Sequence, residues 1–183
     1  MGTVRRPANG PSHSGGDRGR AHFTCCVAGG DYPTPGARIQ HLHADLGDFF
    51  NDPLGQVTFR DIHAPIIAVN FFMVDFTERN GATRLIPCTH RSRVAPPSLE
   101  DEPRWMKRSI LCAPAGTTIF RNNRLWHGGT ANTSDEIRPM TVMAYHAPWY
   151  RCPGSDTPLP RSVYDTLSPR GQELCRHLVK WRE

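Results

Sequence analysis

Apolar and polar positions change texture near residue 37. Residues 1–36 are rich in Gly, Pro, Ser and Arg and show almost no apolar periodicity, so burial cannot offset the entropy of ordering them. A disordered tail is expected there, with Cys25 and Cys26 as a loosely packed pair. From Ala37 onward, short β-type runs over 66–74, 110–113, 117–120 and 139–146 are separated by turn-forming clusters, as strands of one all-β body would be. In the last run Met140, Val142, Ala144 and His146 share one face, and Thr141, Met143, Tyr145 and Ala147 the other. That is the period of two of a strand, and neither face is strongly polar, so both are expected to be covered. The stretches 75–81 (DFTERNG) and 113–116 (APAG) carry the signals of tight turns. Near the end, Ser168-Pro169 followed by Leu174, Leu178 and Trp181 predicts a short C-terminal helix that packs rather than reacts.

A chain of 183 residues is long enough for one buried core, so 37–183 is read as a single domain. Its 16 Gly and 17 Pro are spread over many segments, which favours a sandwich or barrel over a helical bundle. The formal charge is +5, but Arg5, Arg6, Arg18 and Arg20 against Asp17 contribute +3 of it, leaving +2 for the body. The pairs Arg91/Arg93 and Lys107/Arg108 flank the acidic run Glu100, Asp101, Glu102. No basic stripe with interleaved aromatics results, so no nucleic-acid partner is expected. The 6 cysteines show no C-x-x-C pairing and no secretory signal precedes them, so a cytoplasmic, reducing setting is expected. The most apolar stretch, 66–74, is interrupted by Asn70 and followed by Asp75, far short of the ~18 apolar residues of a membrane span.

Two short motifs carry chemistry. His43-Ala44-Asp45 places an imidazole and a carboxylate at i and i+2, on one side of an extended chain. His127, in Trp126-His127-Gly128-Gly129, offers a second imidazole from another strand. Two imidazoles and one carboxylate on one face suit Fe(II) with open positions, whereas a closed zinc site wants a further Cys or His at short spacing. His-x-Asp alone is common, and a hydrogen-bonded surface pair is its plainer reading. His41, two residues before His43, is a rival ligand or neighbour. Arg138, at the start of the run 139–146, can point inward, where a guanidinium needs an anion such as a carboxylate. Its plainer reading is a rim arginine paired with Asp135 or Glu136.

The segments GARIQHLHAD, VNFFMVDFTERNGATRLIPCTH, APAGTTIFRNNRLWHGG and NTSDEIRPMTVMAYHAPWYR, within 36–151, resemble the phytanoyl-CoA dioxygenase family in order and spacing. The resemblance implies a mainly β double-stranded β-helix, the jelly-roll or cupin-like fold. It implies His43, Asp45 and His127 as Fe(II) ligands, Arg138 as the residue that holds 2-oxoglutarate, and O2 as the second cosubstrate. It further suggests Gln40, Asn70 and Thr83 as groups near the cosubstrate, although each is also an ordinary structural residue type. Trp126 reads as wall. The family's Pro-Gly-Ser-His is here Pro87-Cys88-Thr89-His90, which places a turn in question because Cys does not take positive φ freely.

The implied activity is hydroxylation or a related oxidation of a small organic substrate, with release of succinate and CO2. The rival is a catalytically silent jelly-roll binding protein. Relatives usually carry a longer region before the first ligand, which the Gly/Arg-rich start replaces here.

Overall fold

The computed structural model describes residues 22–50, 52–152, 154 and 156–179. Among these are strands β1 (Thr24–Asp31), β2 (Ile66–Phe72), β3 (Thr83–Leu85), β4 (Thr118–Asn122), β5 (His127–Gly129) and β6 (Met140–His146). Short helices are α1 (Arg104–Lys107), α2 (Arg161–Tyr164) and α3 (Pro169–Cys175). One antiparallel sheet runs β1-β6-β2-β4, and a smaller one pairs β3 with β5. Single bridges His43↔His127 and Arg84↔Ile110 widen the small sheet on both sides, so two layers enclose a cavity between them. The fold is the mainly β jelly-roll that the family resemblance implied.

Alternation explains the packing. On β2 the inward Ile66, Ala68, Asn70 and Phe72 are buried while Phe71 is exposed, and on β6 the inward Met140, Ala144 and His146 are buried while Thr141 is exposed. The outer face of β6 is covered only in part, where Tyr145 meets Phe23 edge-on at 5.4 Å. One core cluster gathers Cys26, Ile66, Ala68, Ala144 and Tyr150. A second, built on the stacked rings of Phe72 and Phe76 with Ala82 and Met140, closes the other end. The turn at 75–81 is held by Asn80, whose amide donates to the Asp75 carbonyl at 2.7 Å and accepts from the Thr77 N–H at 2.9 Å. Gly81 follows at φ 80°.

Three differences from the sequence reading have physical causes. The segment taken as tail lies outside the described residues up to position 21, but from Thr24 it is β1, paired with β6 from Thr24↔His146 to Asp31↔Met140. Its small, Gly-rich residues hide a strand because Gly30 lies against the β6 backbone, where a Cβ would come within 2.4 Å of the Met140 carbonyl oxygen. Cys25 and Cys26 are accordingly buried, and burial pushes both thiols up to about 12. The run 110–113 makes only bridges, Arg84↔Ile110 and Phe76↔Ala113, since its two ends face different partners and no ladder can grow. The terminal helix begins as expected, with Ser168 Oγ accepting from the Gly171 N–H at 3.2 Å. It stops at Cys175, and the backbone beyond turns to bond Leu159 through the Leu178 carbonyl, while Trp181 lies outside the described residues.

Candidate metal centre

His43, Asp45 and His127 come together at one wall of the cavity. The segment carrying the first two runs beside β5 through paired bonds between the His43 and His127 backbones, both 2.9 Å, and Asp45 N–H donates to the Asn123 carbonyl at 3.0 Å. This is an extended segment with a single bridge, not a full strand. Gly128 permits the approach, because a Cβ there would meet the His41 carbonyl oxygen at 2.8 Å.

Both imidazoles are oriented by their Nδ1 atoms, His43 against the His41 carbonyl at 3.2 Å and His127 against the Leu125 carbonyl at 2.9 Å. That arrangement leaves each Nε2 for a metal. The two Nε2 atoms converge on one carboxylate oxygen, Asp45 Oδ1, at 3.6 Å from His43 and 3.3 Å from His127. The three ligand atoms all lie within 4.8 Å of one another. Ligand bonds of about 2 Å at right angles set neighbouring ligand atoms about 3 Å apart, a spacing that the two Nε2–Oδ1 separations approach. Burial pushes the His43 imidazole below its usual range, favouring the neutral form that binds metal. Burial alone would raise the Asp45 carboxyl, but His127 and Arg121 outweigh it and hold the group well below the usual carboxylate range.

The cavity beside this cluster measures about 400 Å³. Gln40, Asn70 and Thr83 line it. Gln40 Oε1 accepts from the Gly129 N–H at 2.8 Å, and Asn70 Oδ1 accepts from Arg121 Nε at 3.1 Å. Arg138 is buried just behind the wall. Its Nη2 donates to the Gly81 carbonyl at 3.1 Å, its guanidinium lies 4.4 Å above the Phe76 ring, and its Nη1 is 3.6 Å from Asp31 Oδ1. Nε and Nη1 have no hydrogen-bond partner. The facing carboxylate is thus Asp31 on β1, not Asp135 or Glu136, and the guanidinium keeps donors free for a further anion. The opposite end of the cavity is apolar, walled by Val27, Leu46, Ile66, Ala68 and Ala144.

Other candidates fall away from the centre. The His41 ring is exposed, 5.7 Å from that of His43, and serves through its carbonyl. Trp126, read as wall, is instead packed in a core cluster with Leu42 and Ile86 and is not among the residues that line the cavity. Cys88 adopts φ 68°, so the turn in question is kept with a thiol in glycine's place. Sequence reasoning missed Arg121, whose Nη2 lies 2.8 Å from Asp45 Oδ2. The available signal was alternation: extending the strand past Phe120 puts Arg121 on the face of Ile119.

Residues 24–140 match the family described as Phytanoyl-CoA dioxygenase (PhyH). Dioxygenase aneA of Aspergillus aculeatus is 29% identical over 161 residues, covering 81% of this chain and 47% of that protein. The Fe(II)/2-oxoglutarate-dependent dioxygenase nvfF of Aspergillus novofumigatus is 28% identical over 158 residues, covering 81% and 46%. This chain therefore spans about half the length of the curated relatives it matches. HygX of Streptomyces hygroscopicus, solved with nickel and 2-oxoglutarate bound, superposes with a TM-score of 0.53 at 14% identity over 70% of this chain and 57% of that one, a likeness of fold. With the match running from β1 to the start of β6, the chain belongs to the phytanoyl-CoA dioxygenase family.

Proposed function

We propose that this chain is an Fe(II)- and 2-oxoglutarate-dependent dioxygenase that hydroxylates or otherwise oxidises a small organic substrate and releases succinate and CO2. His43, Asp45 and His127 hold the metal. Arg138 takes the distal carboxylate of 2-oxoglutarate, and Gln40, Asn70 and Thr83 line the space between. The observation that carries the reading is the convergence of two Nε2 atoms on Asp45 Oδ1 at the wall of a cavity, behind which Arg138 has unpartnered donors.

When bound, Fe(II) supplies the oxidation of a substrate C–H bond by O2, coupled to decarboxylation of the keto acid. The protein's own work is positional. Backbone carbonyls fix both imidazoles, the guanidinium sets the depth of the dicarboxylate, and the apolar end of the cavity offers the substrate a dry wall. Among the described residues no helix is long and apolar enough to cross a membrane. A reducing, cytoplasm-like compartment suits the buried, unreactive Cys25 and Cys26, and no nucleic acid enters this reading.

Anaerobic titration of the Fe(II)-loaded protein with 2-oxoglutarate tests the proposal through the visible charge-transfer band of a chelated keto acid. The band is expected in the wild type, absent in His127→Ala, and reached only at far higher cosubstrate in Arg138→Ala. No band in a folded, iron-loaded wild type would transfer the reading to a silent jelly-roll binding protein.

A further inference from the structure

Arg121 reaches the metal centre from β4 with its side chain only 10% exposed. Its guanidinium bridges two groups, Asp45 Oδ2 at 2.8 Å through Nη2 and Asn70 Oδ1 at 3.1 Å through Nε. Nη1 is buried and has no hydrogen-bond partner, so no neighbouring carboxylate draws the guanidinium away from Asp45. With Oδ2 engaged, only Oδ1 faces the two imidazoles, at 3.3 and 3.6 Å.

Charge gives this contact a consequence. With neutral imidazoles, Asp45 and Arg121 cancel, so a bare divalent ion would leave two uncompensated positive charges in a half-enclosed cavity. Arg138 adds nothing to that sum, since Asp31 opposes it. A dicarboxylate brings the charge that restores neutrality. At separations of a few ångströms, repulsion between a guanidinium and a divalent ion exceeds the small gain from pre-ordering one carboxylate. The net effect of Arg121 on bare metal is therefore to weaken it.

We propose that Arg121 is a positioning residue: it holds one oxygen of Asp45 so that the other alone ligates the metal, and it makes tight metal binding conditional on the dianionic cosubstrate. This inference rests on the metal centre proposed above.

The test is calorimetric titration of the full chain with Co(II), with and without 2-oxoglutarate, after circular dichroism has shown each variant to be folded. Without 2-oxoglutarate, Arg121→Gln is expected to bind Co(II) at least about tenfold more tightly than wild type, and the enhancement of Co(II) binding by 2-oxoglutarate is expected to shrink by a similar factor. Arg121→Met, which keeps volume without charge, carries the same expectation and stands in if the Gln variant does not fold. Arg121→Lys, which keeps the charge, is expected to stay within about threefold of wild type. A folded Arg121→Gln or Arg121→Met that binds Co(II) no more tightly than wild type overturns the inference while leaving the metal centre intact. A wild type whose Co(II) affinity is unchanged by His127→Ala would instead remove the metal centre, and this inference with it.

Discussion

Cys88 shows how a single residue can depart from a family pattern without changing the backbone. It takes φ 68° and ψ −8°, a region that disfavours any residue with a Cβ by about 1–2 kcal/mol, while Gly enters freely but gives up more chain entropy. Cys88→Gly is therefore expected to stabilise the protein by roughly 0.5 kcal/mol, read as a higher denaturant midpoint, with Cys88→Ala giving no gain. An equal gain from the Ala variant would assign the effect to the thiol instead of the backbone. The candidate ligands His43, Asp45 and His127 were legible at this scale only with the family resemblance, since His-x-Asp alone is common. Arg121 was not. Phe120 beside it is 74% exposed while Arg121 turns inward, an inversion of the usual apolar-inward rule that only the cavity explains.

Among elements, the small sheet is pinned from behind by a buried ion pair. Arg84 on β3 meets Glu102, just before α1, with both side chains 0% exposed, and Arg84 Nη2 also donates to the Gln40 carbonyl. The pair thus couples the 91–108 connection to the segment that delivers His43. Glu102→Ala is expected to cost about 3–5 kcal/mol, since it strands a buried guanidinium, whereas Arg84→Met combined with Glu102→Leu recovers most of the loss. A double variant as unstable as Glu102→Ala in urea unfolding would show that packing, not the stranded charge, sets the cost. The strands at 66–74, 117–120 and 139–146 were readable to within a few residues because each has enough alternating apolar positions to declare a face. β1 was not, since its identity comes from its β6 partner and not from its own Gly-rich composition. Asp31, which faces Arg138, was lost with it.

At the scale of the whole molecule, the proposed metal centre ties together parts of the chain that only folding joins, residues 43 and 45 with residue 127. Binding to the folded state alone adds RT ln(1 + [L]/Kd), about 2.7 kcal/mol at a hundredfold excess over Kd, which is a rise in Tm of roughly 5–10 °C for a chain of this size. Thermal melts with Co(II) and 2-oxoglutarate should show that rise in wild type and not in His127→Ala; equal melts would argue against a site built by the fold. The sequence by itself determined the mainly β character and the principal strands, and the order and spacing of the family-like motifs singled out His43, Asp45, His127 and Arg138 as candidates. Those depend on side-chain period and chemical type, which are local. The tertiary structure alone decided that β1 forms one edge of the larger sheet, that Asp31 rather than Asp135 or Glu136 faces Arg138, and that Arg121 holds Asp45. Each of these joins residues far apart in the chain, and no local pattern encodes which distant carboxylate a buried guanidinium will meet.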